Sequence, residues 1–381
     1  MTIRLFDQDA YLLDFTARVL DCQSAGEGWD VTLDRTAFFP EGGGQGADHG
    51  TLGGARVLDA HEKSGVILHR TDAPLPVGDT VEGRVDSVRR LSMMQQHTGE
   101  HILSGLICRM YGYSNVGFHI GTEAVTLDFN GPLTEAQARE AERLANECVW
   151  RDQPVHAFVP EKEELARLEY RSKKAIDGDV RIVSIDGVDT CACCGTHVAT
   201  TGRVGQIKVL SVQKYKGGVR LSILCGMRAL KMENQLLDEN RAVSQALSAK
   251  SGELASAVRR MLQERDELRY RCEQLGMQVF SARAEALGGQ PVRVMEADML
   301  VPGQLRKAAG LLAAGGRYGL TLLKREGGWS FALCAPEADA RTAAQALCAR
   351  FGGKSGGPRD MVQGVLNGGE PAGMQAVLEA L

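Results

Sequence analysis

Apolar and polar residues alternate in "WDVTLD" at 29–34, and two more short runs near the N-terminus, "GVILHR" at 65–70 and "DTVEGRVD" at 79–86, stand between Gly and Pro punctuation. Each is bounded by Gly or Pro, the signature of strands separated by tight turns. Their spacing predicts a small β-barrel over residues 1–87. From Val88 the apolar period lengthens, and a helix is predicted to run to about Tyr111. "GFHIGTEAVTLDF" (117–129) returns to strand alternation. A second helix is predicted over 134–150, with Thr134 as its N-cap and Pro132 just before it. A strand follows at 179–185, and "VGQIKVLSV" and "VRLSILCG" flank "KYKGG" as a hairpin. Residues 88–227 therefore read as one α+β domain.

The texture changes again at residue 228. Leu247, Leu254, Met261, Leu268 and Leu275 recur every seven residues, with Val258, Cys272 and Val279 at the companion spacing. This predicts one long coiled-coil-like helix over 228–288, although Arg265 falls on its apolar seam. Such a seam either dimerises the protein or folds back on a neighbouring helix. Residues 289–381 read as an α/β domain with strands at "LTLLKR" and "WSFALC", a helix from Glu337 to Arg350 and a Gly-rich loop. The fold class expected is α+β and multidomain.

Composition narrows the class of protein. The 381 residues are 44% hydrophobic and 24% charged, too long for a single core and ordinary for a globular chain. No run of 18 apolar residues occurs, and "MTIRLFDQDA" lacks a signal-peptide core, so a cytoplasmic address without membrane contact is expected. Ten cysteines in such a chain point to free thiols and metal binding before disulfides. The formal net charge of −4 excludes a globally basic nucleic-acid protein. Basic residues do gather locally at "VRR" (88–90), "RSKK" (171–174) and "KYKGGVR" (214–220), each of which is a solvated face unless something else assigns it.

Two segments concentrate metal-binding chemistry. "QQHTGEH" (95–101) places His97 and His101 one helical turn apart, and "CACCGTH" (191–197) offers Cys193 and His197 at the same spacing beside Cys191 and Cys194. Imidazole nitrogen and thiolate sulfur are the ligands Zn²⁺ takes in tetrahedral geometry. Three readings remain open on the letters alone: a catalytic zinc, a closed structural zinc with no turnover, and a peptidase of the H-x-x-E-H kind with Glu100 as base. A third segment, "RTAFFPEGGGQGADHG", carries Gly42, Gly43 and Gly44. These allow positive φ and close backbone approach to a ligand, or simply form a hairpin loop.

"RTAFFPEGGGQ", "MQQHTGEHILS" and "CCGTHVATTGRVGQIKV" resemble, in that order, the motifs of the alanyl-tRNA synthetase editing domain. They also resemble its free-standing relatives, the AlaX-type alanyl-tRNA editing proteins. "FGGKSGGPRDMVQG" (351–364) resembles the glycine-rich segment of the DHH-associated domain that ends those synthetases, and the length suggests the long AlaX form. The resemblance implies a zinc-dependent deacylase that hydrolyses mischarged tRNA(Ala), chiefly seryl-tRNA(Ala) and also glycyl-tRNA(Ala). A second site of this kind is sensible, because a pocket built for alanine rejects neither a smaller side chain nor one added hydroxyl sharply. The resemblance places zinc on His97, His101, Cys193 and His197, with Cys191 or Cys194 as substitutes. It gives Thr36 the task of recognising the serine hydroxyl. Gln96 and Glu100 flank the ligands as candidate orienters of water, and Gly42, Gly43, Gly44, Gln45 and Thr196 are candidate substrate contacts. His119 reads as a core histidine. Arg89, Arg90, Lys173, Lys174, Lys214, Lys216, Lys354 and Arg359 are the candidate tRNA contacts.

Overall fold

The computed structural model describes residues 1–172, 179–250 and 252–381. The chain divides into two compact units, Met1–Glu239 and Asn240–Leu381.

The first unit begins with six strands: β1 (Asp14–Ala25), β2 (Gly28–Leu33), β3 (Gly50–Leu52), β4 (Ala55–Lys63), β5 (Val66–Thr71) and β6 (Thr80–Val85). They pair in the order β1-β2-β5-β4-β3-β6, and β6 returns to β1, closing a ring. Alternate residues of β5 (Ile67, His69, Thr71) are buried, as period-two patterning requires. Phe15, Val19, Val31, Leu33, Phe38, Leu52, Val57 and Val85 fill the ring. A short parallel pair, Ile3–Arg4 with Arg35–Thr36, ties the N-terminus to the segment that leads into the glycine motif.

Helix α1 (Ser87–Tyr111) follows at once. The Asp86 carboxylate accepts from the Val88 and Arg89 amides, and the helix stops at Gly112 with φ +72°. Then come β7 (Asn115–Ile120), β8 (Val125–Phe129) and α2 (Glu135–Arg151), which opens on a Thr134–Gln137 capping box. Strands β9 (His156–Phe158), β10 (Ile182–Ile185) and β11 (Asp189–Ala192) form a three-stranded antiparallel sheet. Strands β12 (Ile207–Tyr215) and β13 (Gly218–Cys225) form the expected hairpin and extend to a four-stranded sheet in the order β12-β13-β8-β7. Helix α1 buries Met94, Ile102, Leu103 and Ile107 in the core this sheet shares with α2.

The single long helix expected over 228–288 is two helices, α3 (Gly226–Ala246) and α4 (Leu254–Ala286). Between them Ser248 (φ +49°) and Gly252 (φ +84°) take left-handed conformations that a continuous helix does not contain. In the second unit, the C-terminal part of α4 packs into a core, and of its N-terminal half only Ala257 is buried. Met277, Phe280 and Ala284 meet Leu305, Ala308 and Leu312, while Met261, Leu268 and Leu275 of the heptad pattern are exposed. A Cβ on Gly276 would stand 2.3 Å from the Met299 carbonyl oxygen, which explains the glycine at that close approach. The unit continues with β14 (Val292–Glu296), α5 (Leu305–Ala313), β15 (Tyr318–Arg325), β16 (Gly328–Cys334), α6 (Ala340–Phe351), β17 (Gly353–Gly356), β18 (Met361–Leu366) and α7 (Pro371–Glu379). Its five-stranded sheet runs β14-β15-β16-β18-β17. Among the described residues no helix is long and apolar enough to cross a membrane, and all ten cysteines are free thiols.

Candidate metal centre

His97 and His101 project from one face of α1, and Cys193 and His197 lie in the irregular loop after β11. Their ligand atoms lie within 4.8 Å of one another. The Cys193 Sγ stands 3.4 Å from Nε2 of His97 and 3.4 Å from Nε2 of His197. Each imidazole is held from behind through Nδ1: His97 by Gln45 Oε1 at 2.8 Å, His101 by Asp189 Oδ2 at 2.8 Å and His197 by Thr98 Oγ1 at 3.1 Å. An amide oxygen and a carboxylate can only accept, so Nδ1 carries the proton on His97 and His101. That leaves Nε2 as the lone-pair donor toward the shared centre, the tautomer a metal-ligating histidine needs. Burial alone would raise the Cys193 pKa, but His97 and His197 outweigh it and hold the thiol well below its usual range. A thiolate is the form that binds metal. Three directed imidazoles and one thiolate fit Zn²⁺.

Close approach makes the cluster possible. A Cβ on Gly195 would lie 2.2 Å from His97 Cε1, so only glycine lets the cysteine loop cross that ring. Gly44 (φ +85°) passes within 2.5 Å of the Phe118 carbonyl oxygen by the same measure, and Phe118 packs on His97 with centroids 4.8 Å apart. Arg181 donates to the Cys193 and Gly195 carbonyls at 3.0 and 2.9 Å, fixing the loop from outside.

Gln45, expected as a substrate contact, stands as a brace. Its Oε1 takes His97 Nδ1 and the Thr196 amide, and its Nε2 donates to Thr196 Oγ1 at 2.9 Å. That contact also occupies Thr196. Gly42 pairs with Gln45 in a small bridge, and a Cβ on Gly43 (φ +58°) would approach the exposed Cys194 thiol at 3.2 Å. Cys191 is buried and stands with His101 and Asp189. Glu100 is buried, with Oε1 accepting from Ser104 at 2.9 Å and Asn115 at 2.6 Å. Its Oε2 lies 3.6 Å from His101 Nε2, at the edge of the cluster. The third carboxylate ligand that a peptidase site demands is absent from the four-residue group among the described residues. Thr36 is buried between the barrel strands, 2.8 Å from His69 Nε2 and accepting from the Phe38 amide at 3.1 Å. His69 gives its Nδ1 proton to the Val31 carbonyl, so the Thr36 hydroxyl donates to Nε2 and keeps one lone pair.

Several expectations are corrected. Gln96 does not face the cluster; its amide pairs with both backbone groups of Cys225 at 2.8 Å, clamping α1 to β13. Arg90 is not placed to contact tRNA: its side chain is 2% exposed and bonded to Asp48 and to the Ala10 and Ala37 carbonyls. Arg89 is half-buried and donates to the Ala47 carbonyl. His119 is exposed rather than a core residue, and its neighbour Phe118 meets the site. Lys173 and Lys174 lie outside the described residues. Lys214, Lys216, Lys354 and Arg359 are exposed. Sequence reasoning missed Thr98, Asp189, Arg171, Ser104 and Asn115. Thr98 and Ser104 stand inside or just past the His-x₃-His segment, and Asp189 two residues before the cysteines. Proximity to ligands was the signal available for these three.

Known proteins supply the last observation. Residues 180–221 match the family described as "Threonyl and Alanyl tRNA synthetase second additional domain", and residues 10–89 match "tRNA synthetases class II (A)". The alanine–tRNA ligase of Methanopyrus kandleri is 34% identical over 76% of this chain, which spans only 33% of that ligase. The alanyl-tRNA editing protein AlaX-L of Pyrococcus horikoshii is 32% identical over 77% of this chain and 75% of its own length. With that coverage at that identity, the chain belongs to the family of AlaX-L alanyl-tRNA editing proteins.

Proposed function

We propose that this protein is a zinc-dependent trans-editing deacylase that hydrolyses the ester of mischarged tRNA(Ala), chiefly seryl-tRNA(Ala) and also glycyl-tRNA(Ala), in the cytoplasm. The observation that carries the reading is the cluster of His97, His101, Cys193 and His197 with a hydrogen-bond partner behind each imidazole, in a chain of the AlaX-L family. His97, His101, Cys193 and His197 would hold a zinc ion, which would supply a Lewis acid for the ester carbonyl or an anchor for the α-amino group. Glu100, fixed by Ser104 and Asn115 with its second oxygen at the rim of the cluster, takes the proton of the attacking water. The water oxygen adds to the aminoacyl carbon, the bond from that carbon to the ribose oxygen breaks, and Glu100 passes its proton to the departing oxygen, releasing free amino acid and tRNA with its ribose hydroxyl restored. An aminoacyl ester is already activated, so positioning and modest charge stabilisation suffice. The remaining lone pair of Thr36 suits it to accept from a serine hydroxyl, which alanine does not offer. Exposed Lys214, Lys354 and Arg359 track phosphates. The functional segments are 1–87, 88–227, 228–288 and 289–381, with the exposed heptad face of α4 joining two copies.

The test is deacylation of seryl-, glycyl- and alanyl-tRNA(Ala) by zinc-loaded parent, Cys193→Ala and Thr36→Val proteins. The parent is expected to hydrolyse seryl-tRNA(Ala) faster than alanyl-tRNA(Ala). Cys193→Ala should lose turnover while remaining folded and tRNA-bound, and Thr36→Val should slow serine removal selectively. A parent with no preference for the serine ester overturns the reading. Unfolding of Cys193→Ala together with an inactive parent assigns the zinc a structural role in a tRNA-binding module.

A further inference from the structure

The three imidazoles of the cluster differ in what stands behind them. Gln45 offers His97 a neutral amide and Thr98 offers His197 a neutral hydroxyl, but Asp189 offers His101 a carboxylate whose side chain is 2% exposed. That carboxylate is itself pinned: Arg171 Nε reaches Oδ1 at 2.7 Å and a terminal nitrogen reaches Oδ2 at 2.8 Å. The backbone fixes both residues. The Arg171 amide donates to the Thr190 carbonyl at 2.9 Å, and the Ala192 amide donates back to the Arg171 carbonyl at 2.9 Å. On the other side, a Cβ on Gly105 would lie 2.4 Å from the Val188 carbonyl oxygen and 2.7 Å from the Asp189 Cβ. Helix α1 therefore presses directly on this carboxylate one turn beyond His101.

We propose that Asp189 is a positioning residue that makes His101 the most firmly held ligand of the metal centre, and that Arg171 keeps Asp189 in that outer position. A carboxylate behind an imidazole fixes ring orientation and raises ligand basicity more than a neutral acceptor does. His101, Asp189 and Cys191 also lie close enough to hold a cation by themselves. The guanidinium on both carboxylate oxygens excludes that use, because a second cation there would face a fixed positive charge. Arg171 so decides between an outer brace and a competing ligand set, and it offsets the carboxylate's charge beside the thiolate of Cys193.

This inference rests on zinc occupying the four-residue cluster, and its test reads metal rather than turnover. Purified parent, Asp189→Asn and the Asp189→Asn/Arg171→Met double variant are titrated with zinc against a competing chelator, and their cobalt-loaded forms are compared by visible absorption. The double variant removes the half-buried guanidinium that the single change would leave without its carboxylate, so folding and charge are separated. Zinc affinity is expected to fall about 10- to 100-fold in both variants, with a shifted cobalt spectrum. If the parent binds one zinc and both folded variants stay within about threefold of it, the proposal is overturned. A parent that binds no zinc refutes the reading of the cluster itself.

Discussion

Arg90 and Asp48 form the most deeply buried ion pair among the described residues, with side chains 2% and 0% exposed. The guanidinium donates to both Asp48 oxygens, to the Ala10 carbonyl at 2.7 Å and to the Ala37 carbonyl at 2.5 Å, while Asp48 also accepts from the Phe39 amide at 2.7 Å. One side chain of α1 so fastens the N-terminal segment and both ends of the glycine-motif loop. Arg90→Met leaves an anionic Asp48 in a dry site and strips two carbonyls of their donor. Breaking one side of such a pair costs about 3–5 kcal/mol, and the orphaned carbonyls favour the upper part of that range. Asp48→Asn strands the guanidinium at similar cost. The double variant removes both charges, so it should cost less than the sum of the singles by about 2 kcal/mol or more. Urea titration followed by circular dichroism measures these differences. Because the chain has two compact units, the transition that also releases bound zinc is the one to compare. The opposite result is well defined. If Arg90 gripped phosphate, Arg90→Met would leave that transition in place and lower the salt dependence of tRNA binding by about one unit of slope.

Two further outcomes are expected. Burial lowers the His69 pKa to about 4. The unfolded chain therefore takes up this proton near pH 6.5, before the folded one does, and stability present above that value drains away as pH falls toward 4. Between pH 7 and pH 5 the loss from His69 is about 2 kcal/mol, and a smaller pH response of His69→Gln than of parent in metal-free urea titrations would show it; equal responses refute it. For the helical segment, light scattering at micromolar concentration should report a dimer that Leu268→Glu converts to a monomer, since Met261, Leu268 and Leu275 are exposed along one seam. A parent of single-chain mass removes that idea.

The sequence made the regular elements legible where the period was clean. Helix α1 was expected over 88–111 and spans Ser87–Tyr111, and the Thr134 cap was expected and is present. The break after Ala246 was hidden because the leucine heptad continues through it, and only left-handed Ser248 and Gly252 betray the stop. Strands β17 and β18 stand where the sequence predicts a loop, since glycines dominate Gly353–Gly356 and short glycine-rich segments carry little strand propensity. At the site, the residue types of the four-membered cluster are local chemistry and so legible, whereas the hydrogen-bond partners of those residues are tertiary. Nothing in the letters tells Arg90 from a surface arginine, because its burial depends on Asp48, 42 positions away. Gln45 was placed in the site but given the wrong task for the same reason.

The bond between Gln45 and Thr196 spans 151 positions of the chain. A ribosome therefore delivers the parts of this cluster in a fixed order: the brace for His97 first, the two helical imidazoles next, and Cys193 with the last imidazole almost a hundred residues after them. Contacts of such long range form late and slowly. No shorter nascent chain carries all four residues of the cluster. Under the proposed zinc reading, metal uptake would mark completed tertiary structure, following only once the barrel loop and the cysteine loop have found each other.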